Sequence, residues 1–167
     1  LVRAEHSATI WNAVLAAGES YGLVPAGLAC RDTLRLEAGM PLYGHELGLD
    51  TNPFEAGFAR VVRLDREEDF VVKAALAELA NVAPSRKLVG LAGEGKRAAR
   101  AEYPIFVEES EIGAITSGAL SPTLGYPVAM AYVSAEYASE GSVVSVDIRG
   151  TRTDFTVVKL PFYKRTK

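Results

Sequence analysis

The sequence predicts an α+β protein in which a helical first part precedes a small antiparallel β-barrel or sandwich. Three observations support this prediction. Apolar residues recur at helical spacing before residue 81. After residue 85 they fall into six short runs, in which alternation of apolar and polar side chains is clearest at residues 144–148. Turn-forming residues separate these runs, which is typical of strands joined by short connections.

The first predicted helix extends from about Glu5 to Ala17, because apolar residues fall on one of its faces and Gly18 can end it. That face consists of Ile10, Trp11, Val14 and Leu15. A second helix is expected to begin near Arg31, with Asp32 or Thr33 at its start, and to end at residues 39–41.

Two further elements are predicted before the boundary. FARVVRL, residues 58–64, is predicted to be a strand. Asp69 is a candidate N-cap for a third helix that ends near Ala80. The apolar side of that helix would consist of Val72, Ala75, Leu76 and Leu79.

The six strands are predicted in the second part of the chain, after the turn-rich segment NVAPSRK. Gly150 marks a hairpin turn between the last two. We therefore divide the chain into residues 1–82 and residues 83–167. The strand runs are KLVGLA, YPIFV, EIGAITSG, VAMAYV, SVVSVDIRG and RTDFTVVKL.

Composition excludes several classes of function. Apolar residues make up 49% and charged residues 23% of the chain, as in globular proteins, and the net charge of −3 argues against nucleic acid as a partner. No apolar run approaches the roughly 20 residues of a membrane span. The single cysteine, Cys30, fits a reducing compartment, so we expect a cytoplasmic protein. His6 and His45 lack metal-site spacing, and we expect no metal.

Four blocks in this sequence resemble the glycine cleavage system T-protein family, the tetrahydrofolate-dependent aminomethyltransferases. They are GLACRDTLRLEAGMPLYGHEL (27–47), TNPFEAG (51–57), TSGALSPTLGYPVAMAYV (116–133) and VVKLPFYKR (157–165). The resemblance implies that residues 1–82 are the C-terminal part of a folate-binding α/β region and that residues 83–167 are the terminal β-barrel domain.

The resemblance also implies an activity. Family members take the aminomethyl group from the lipoyl arm of the H-protein, release ammonia and transfer the one-carbon unit to tetrahydrofolate, which is a substrate. Their catalytic Asp precedes the RDTLRLEAG block, and this sequence begins after that region. We therefore expect the lipoylated H-protein and the missing N-terminal part of the chain as partners, and no activity from this chain alone.

Glu37 is the first candidate folate-binding residue, since the family's glutamate in RLEAG contacts the pterin. An ionised carboxylate can accept both the ring N–H and the amino group of a pterin edge. The alternative is an ion pair of Glu37 with Arg31 or Arg35.

Two more candidates follow from the resemblance. Arg66 matches a folate-contacting arginine, with Arg63 as a rival and with charge compensation of residues 67–69 as the alternative role. Tyr163 matches a ligand-contacting tyrosine near the C-terminus, although it could instead cover a barrel end. Arg100 is interpreted as structural or inter-domain. The family pattern has glycine where this chain has Val72, and a glycine there would permit an unusual backbone angle.

Two other functions within the same superfamily remain open. One is a non-enzymatic folate-binding relative that acts in iron–sulfur cluster assembly, although the Cys-containing motif of those relatives is not found here. The other is a folate-dependent demethylase. Testing lipoyl-linked against methylated donors would separate them from an aminomethyltransferase.

Overall fold

The computed structural model describes residues 1–165. They form two compact units, of which the first is Leu1–Asp32 and the second begins at Thr33. The first unit contains a 3-10 turn (Ala4–His6), helix α1 (Ser7–Gly18) and a second 3-10 turn (Glu19–Tyr21). The predicted first helix is present, and its apolar face is exposed: Trp11 retains 55% of its accessible surface. None of the residues of α1 is buried.

Helix α2 extends over Leu28–Glu37, so that it begins about one turn before the predicted start at Arg31. Its end was predicted correctly. The N–H of Gly39 donates to the Leu36 carbonyl at 2.8 Å and that of Met40 to the Arg35 carbonyl at 2.8 Å, which is a Schellman C-cap. Gly39 adopts a φ of +64°, a conformation that glycine takes without a steric penalty.

The segment predicted as a strand at residues 58–64 is instead a 3-10 turn, Ala59–Val61, and that prediction was wrong. Local hydrogen bonds from the N–H of Val61 and Val62 to the carbonyls three residues earlier replace strand pairing. Within residues 1–165, every named strand belongs to one closed barrel, which offers no free edge for this segment to join.

Helix α3 covers Lys73–Ala80 and therefore begins later than the predicted cap at Asp69. Asp69 accepts the N–H of its own neighbour, Phe70, at 2.9 Å instead of capping a helix. Val72 occupies the N-cap position with φ +63°. A left-handed backbone is unusual for a β-branched residue, and it explains why the family pattern has glycine at this position.

All six predicted strands are present and form a closed antiparallel barrel in the order β1-β4-β3-β2-β5-β6. The ladder between β1 and β4 pairs Arg86 with Ser134 through to Ala92 with Val128. The barrel closes where β1 pairs with β6, from Gly90 opposite Val158 to Gly93 opposite Phe155. The strands are β1 (Arg86–Gly93), β2 (Pro104–Val107), β3 (Ser110–Leu120), β4 (Pro127–Ser134), β5 (Val143–Asp147) and β6 (Arg152–Val158).

The barrel buries two apolar clusters. The larger one includes the fully buried Leu91, Ile105 and Val146. The smaller one joins Leu36 of α2 to Ala119, Val128 and Met130 of strands β3 and β4. Burial of Leu36, only 1% of which remains exposed, fixes the end of α2 against the β3–β4 hairpin.

Candidate functional site

Glu37, the last residue of α2, is buried against the turn between β3 and β4, and only 3% of its surface is exposed. Leu36 packs into the smaller apolar cluster, and the Schellman cap turns the chain immediately after Glu37. The helix end therefore delivers a carboxylate to a position enclosed by strand residues.

The carboxylate of Glu37 accepts three hydrogen bonds from this turn. The hydroxyl of Ser121 donates to Oε1 at 2.5 Å, and the backbone N–H of Thr123 donates to the same oxygen at 3.1 Å. The hydroxyl of Thr123 donates to Oε2 at 2.8 Å. A carboxylate has about four lone-pair sites, so the fourth acceptor position of Glu37 lies on Oε2.

These hydrogen bonds keep Glu37 ionised. Burial alone would raise its pKa, but the hydroxyl donors of Ser121 and Thr123 and the Thr123 N–H lower the pKa below the ordinary value of 4.5. The Ser121 hydroxyl also accepts the N–H of Leu124 at 2.9 Å, which orients its hydrogen toward Glu37. The site therefore presents a negatively charged, fixed acceptor at neutral pH.

The chain's terminal segment completes the surroundings of Glu37. The N–H of Tyr163 donates to the backbone carbonyl of Glu37 at 2.9 Å. Leu160 and Phe162 pack against the smaller apolar cluster, and 43% of Tyr163 is exposed. Two of the three predicted folate-binding residues, Glu37 and Tyr163, therefore lie together.

Glu37 forms an ion pair with neither Arg31 nor Arg35 among the described residues. Arg35 instead pairs with another buried acid, Glu46. Arg35 donates to Oε2 of Glu46 at 3.0 Å and to the hydroxyl of Ser117 at 2.8 Å. Glu46 is fully buried and also accepts the N–H of Leu42 at 2.8 Å. Its other oxygen, Oε1, lacks a hydrogen-bond partner among the residues described. This second polar centre lies beside the Glu37 site along the same strands.

The loop before α3 distinguishes the two candidate arginines. Arg63 forms a two-pronged pair with Asp65, at 2.9 and 2.8 Å, which lowers the pKa of Asp65 to about 2. Arg66 forms no ion pair with an acid in the part of the chain that the structure describes. The positive charge of Arg66 also contributes to lowering the pKa of Asp65, and no hydrogen bond joins Arg66 to Glu37 or Tyr163 among those residues.

Sequence reasoning missed the partners of Glu37. Ser121 and Thr123 lie in the third of the four blocks, and the hydroxyl residues in TSGALSPTLG were the available signal. Glu46 was also missed. Among residues 1–165, no group of three or more His, Cys, Asp and Glu side chains is arranged to hold a metal ion. No helix there has the length and apolar character needed to cross a bilayer.

Comparison with known proteins identifies the family. Residues 1–66 match the GCVT N-terminal domain, and residues 86–164 match the glycine cleavage T-protein C-terminal barrel domain. The aminomethyltransferase of Streptomyces avermitilis is 57% identical over 162 residues, which are 95% of this chain and 44% of the relative. The chain belongs to the glycine cleavage T-protein family.

Other members of the T-protein family show the same pattern. The aminomethyltransferase of Streptomyces coelicolor is 54% identical over 99% of this chain and 46% of its own length. The crystal structure of glycine cleavage system aminomethyltransferase T from Bartonella henselae matches with a TM-score of 0.75 and 37% identity, over 83% of this chain and 39% of that one. The chain thus spans less than half the length of these T-protein relatives. The predicted boundary at residues 82 and 83 falls between the two matched segments.

Proposed function

We propose that this chain supplies part of the folate site and the terminal barrel of an aminomethyltransferase, which transfers a one-carbon unit from the aminomethyl-lipoyl H-protein to tetrahydrofolate and releases ammonia. The observation that carries the proposal is the carboxylate of Glu37, which is buried, ionised and held by three donors. The three donors offset much of the cost of burying this charge, and the open acceptor position on Oε2 leaves room for a complementary group on a ligand.

The hydrogen bonds that Glu37 already accepts limit which of its oxygens a pterin could bind. A fork that uses both carboxylate oxygens was the expectation, but Oε1 already accepts two hydrogen bonds. Oε2 accepts one and can take a second without displacing any donor. We therefore expect one pterin N–H to bind Oε2, while a second donor would have to compete with Thr123.

Tyr163 and Arg66 complete the proposed set of folate-binding residues. The backbone N–H of Tyr163 binds the main chain of Glu37, and 43% of the residue is exposed, so we expect its phenol to cover a bound ring. Arg66 could pair with a folate carboxylate, since Arg63 is already occupied by Asp65.

The catalytic acid and much of the channel would belong to the preceding part of the protein. Support comes from the exposed apolar face of α1, where Ile10, Trp11 and Val14 retain 40%, 55% and 54% of their surface. An apolar face of this kind is a candidate contact for another protein segment. We propose the preceding segment as its partner, and the cytoplasm as the compartment in which the enzyme works.

The proposal is tested with a chimera in which the portion of the Streptomyces avermitilis enzyme that this chain does not cover is fused before Leu1. With aminomethyl-lipoyl H-protein and tetrahydrofolate, the chimera should release ammonia, and the 167-residue chain alone should not. Glu37→Gln in the chimera should raise the KM for tetrahydrofolate about tenfold or more.

Three outcomes would contradict the proposal. Transfer by the chain alone would show that the reactive acid is not elsewhere. A folded chimera that is inactive with the H-protein donor but demethylates N-methylated donors would favour the demethylase alternative. An unchanged KM in Glu37→Gln would remove Glu37 from the folate site.

A further inference from the structure

A second buried polar cluster fastens the end of helix α2 to the barrel next to Glu37. Arg35 Nη1 donates to Glu46 Oε2 at 3.0 Å, and Arg35 Nη2 donates to the hydroxyl of Ser117 at 2.8 Å. Only 9% of the Arg35 side chain and none of the Glu46 side chain is exposed. We call these three residues the Arg35 cluster. A buried ion pair often stabilises a fold no more than apolar residues of the same volume would, so its presence here points to a geometric requirement.

Three consecutive residues at the end of α2 pair with alternate residues along the end of β3 and the turn after it. The pairs are Arg35 with Ser117, Leu36 with Ala119 in the smaller apolar cluster, and Glu37 with Ser121. All three residues on the strand side are buried. Alternate residues of a strand lie on one face, so the helix end follows a single row of side chains. Hydrogen bonds to serine hydroxyls fix both ends of this row.

A register shift in β3 turns this row toward α2. The pairing with β4 moves by one residue between Ile115 and Ser117, which leaves Thr116 as an extra residue. Without the shift, Ile115, Ser117 and Ala119 would share one face of the sheet. Ile115 belongs instead to the larger apolar cluster and Ala119 to the smaller one, which also contains Leu36. The bulge therefore brings Ser117 within reach of Arg35.

The Arg35 cluster also holds the chain that follows Glu37. The N–H of Met40 donates to the carbonyl of Arg35 at 2.8 Å, and Arg35 Nη1 donates back to the carbonyl of Met40 at 3.4 Å. Glu46 Oε2 accepts the N–H of Leu42 at 2.8 Å. The backbone before and after Glu37 is therefore attached to one cluster, and a displacement of that cluster would move the carboxylate of Glu37.

We propose that Arg35 is a positioning residue, which acts through Glu46 and Ser117 to hold the end of α2 in the register that leaves Oε2 of Glu37 open to a pterin N–H. The role toward a ligand rests on the proposed function, whereas the positioning of Glu37 is a property of this chain alone. Hydrogen bonds weaken steeply as their distances and angles depart from the optimum. A small slip of the helix end would therefore separate Glu37 from Ser121 and Thr123.

The backbone N–H of Thr123 offers a readout of the carboxylate, because it donates to Glu37 Oε1 at 3.1 Å. Its NMR chemical shift in the 167-residue chain should follow protonation of Glu37 as the pH is lowered. In the unchanged chain this transition should lie below 4.5, the ordinary pKa of the carboxyl group. A carboxylate that has moved away from its donors should titrate closer to 4.5, because burial raises its pKa and fewer hydrogen bonds oppose that effect.

Two variants loosen the Arg35 cluster by different means. Ser117→Ala removes one hydroxyl and changes no charge. Arg35→Lys keeps the positive charge but replaces the two-pronged guanidinium by an ammonium group, which cannot reproduce the contacts with Glu46 and Ser117 together. Both variants should move the Thr123 titration upward, toward 4.5. Ser117→Ala is the milder change and decides the test if Arg35→Lys does not fold.

Ser134→Ala is the matched control. The hydroxyl of Ser134 donates to the carbonyl of Ile112 at 3.2 Å, so this variant also loses one hydrogen bond between barrel strands. Ser134 is the last residue of β4, at the end of the strand away from the turn that holds Glu37. The control should leave the Thr123 titration unchanged. Urea unfolding of both serine variants shows how much stability each has lost.

In the chimera proposed above, the same change should affect folate binding more than chemistry. Ser117→Ala should raise the KM for tetrahydrofolate about threefold to fivefold and change kcat less than about twofold, because it disturbs a binding group and no reacting group. Ser134→Ala should change neither constant.

The outcomes separate this inference from the proposed function. The inference is overturned if either cluster variant is folded and titrates as the unchanged chain does, or if Ser134→Ala shifts the titration as much as Ser117→Ala. A KM raised by Glu37→Gln but not by Ser117→Ala would also overturn it and leave the proposed function standing. A shifted titration, with a KM that Glu37→Gln does not change, would support the positioning of Glu37 and contradict the folate site.

Discussion

Replacing Ser121 by alanine removes one hydroxyl that performs two functions in the folate-binding candidate site. That hydroxyl donates to Glu37 Oε1 at 2.5 Å and accepts the backbone N–H of Leu124 at 2.9 Å. Only 1% of Ser121 is exposed, so water cannot readily replace it. The substitution deletes few atoms and changes apolar packing little, so its effect reports mainly on hydrogen bonding.

The expected loss can be estimated from these two bonds. A hydrogen bond to a buried charge contributes about 1.5–3 kcal/mol, and leaving a partly buried N–H without an acceptor costs about 1 kcal/mol. Ser121→Ala should therefore lower the free energy of unfolding by about 2.5–4 kcal/mol. It should also raise the pKa of Glu37, because one of the donors that stabilise its ionised form is lost.

Urea unfolding at neutral pH, followed by far-UV circular dichroism, measures the change. Ser139→Ala, in an exposed position after β4, is the control and should change the free energy of unfolding by less than about 0.5 kcal/mol. Glu37→Leu and the double variant complete a mutant cycle. The coupling between Ser121 and Glu37 should be about 1.5–3 kcal/mol.

Two results would contradict this role of the Ser121 hydroxyl. If Ser121→Ala loses no more free energy than Ser139→Ala, the hydroxyl does not support the buried carboxylate. If the loss is large but the coupling to Glu37 is near zero, the serine stabilises only the turn, and its role in holding the site must be abandoned.

Three further predictions concern other features of the fold. Val72→Gly should raise the free energy of unfolding by about 1 kcal/mol, because relief of the backbone strain at a left-handed β-branched residue outweighs the entropy that glycine adds to the unfolded chain. A lower free energy of unfolding in urea would contradict this strain. The free energy of unfolding, measured as a function of pH, should contain the full contribution of ionised Glu37 above its unfolded pKa of about 4.5 and lose it as pH falls through the lower folded pKa. Glu37→Gln should flatten this part of the pH dependence, and an unchanged pH dependence would refute the assignment. Gly113→Ala would place a Cβ 2.0 Å from the carbonyl oxygen of Tyr132 and should prevent barrel formation, as judged by circular dichroism. In the control Gly48→Ala the new Cβ meets open space, so this variant should fold, and two equally folded variants would contradict the close contact between the strands.

The strands of the barrel could be predicted because the sequence patterns that indicate a strand are local. Period-two alternation in Val144–Ile148 and turn residues between the runs identify six strands without knowledge of their partners. The order of the strands in the barrel cannot be deduced from these local signals. The pairing of β1 with both β4 and β6 depends on contacts between residues far apart in sequence. The strand pattern alone left a barrel and a sandwich open, and the resemblance to the family pointed to the barrel.

The helical part shows where local signals mislead. Asp69 has the side chain of a good N-cap, yet the three residues after it are not helical, and α3 begins only at Lys73. FARVVRL was predicted to be a strand, but a strand needs a neighbour with unpaired backbone groups, and the closed barrel formed by the described strands provides none. In both segments the local pattern was clear, and the tertiary surroundings decided the structure.

The candidate site could be only half predicted. Glu37 was recognised because its block resembles the T-protein family, whereas its setting among apolar residues left burial and exposure both open. Its partners, Ser121 and Thr123, lie 84 and 86 positions away in sequence. No spacing rule connects residues that meet only after the barrel has formed, so the support for the carboxylate could not be read from sequence.

The hydrogen bond from the Tyr163 N–H to the Glu37 carbonyl joins the end of helix α2 to the segment that follows β6. Pairing of β6 with β1 is also the contact that closes the barrel. Separation of these two strands would therefore disturb the main chain of Glu37 as well, so that the position of this acid depends on barrel closure.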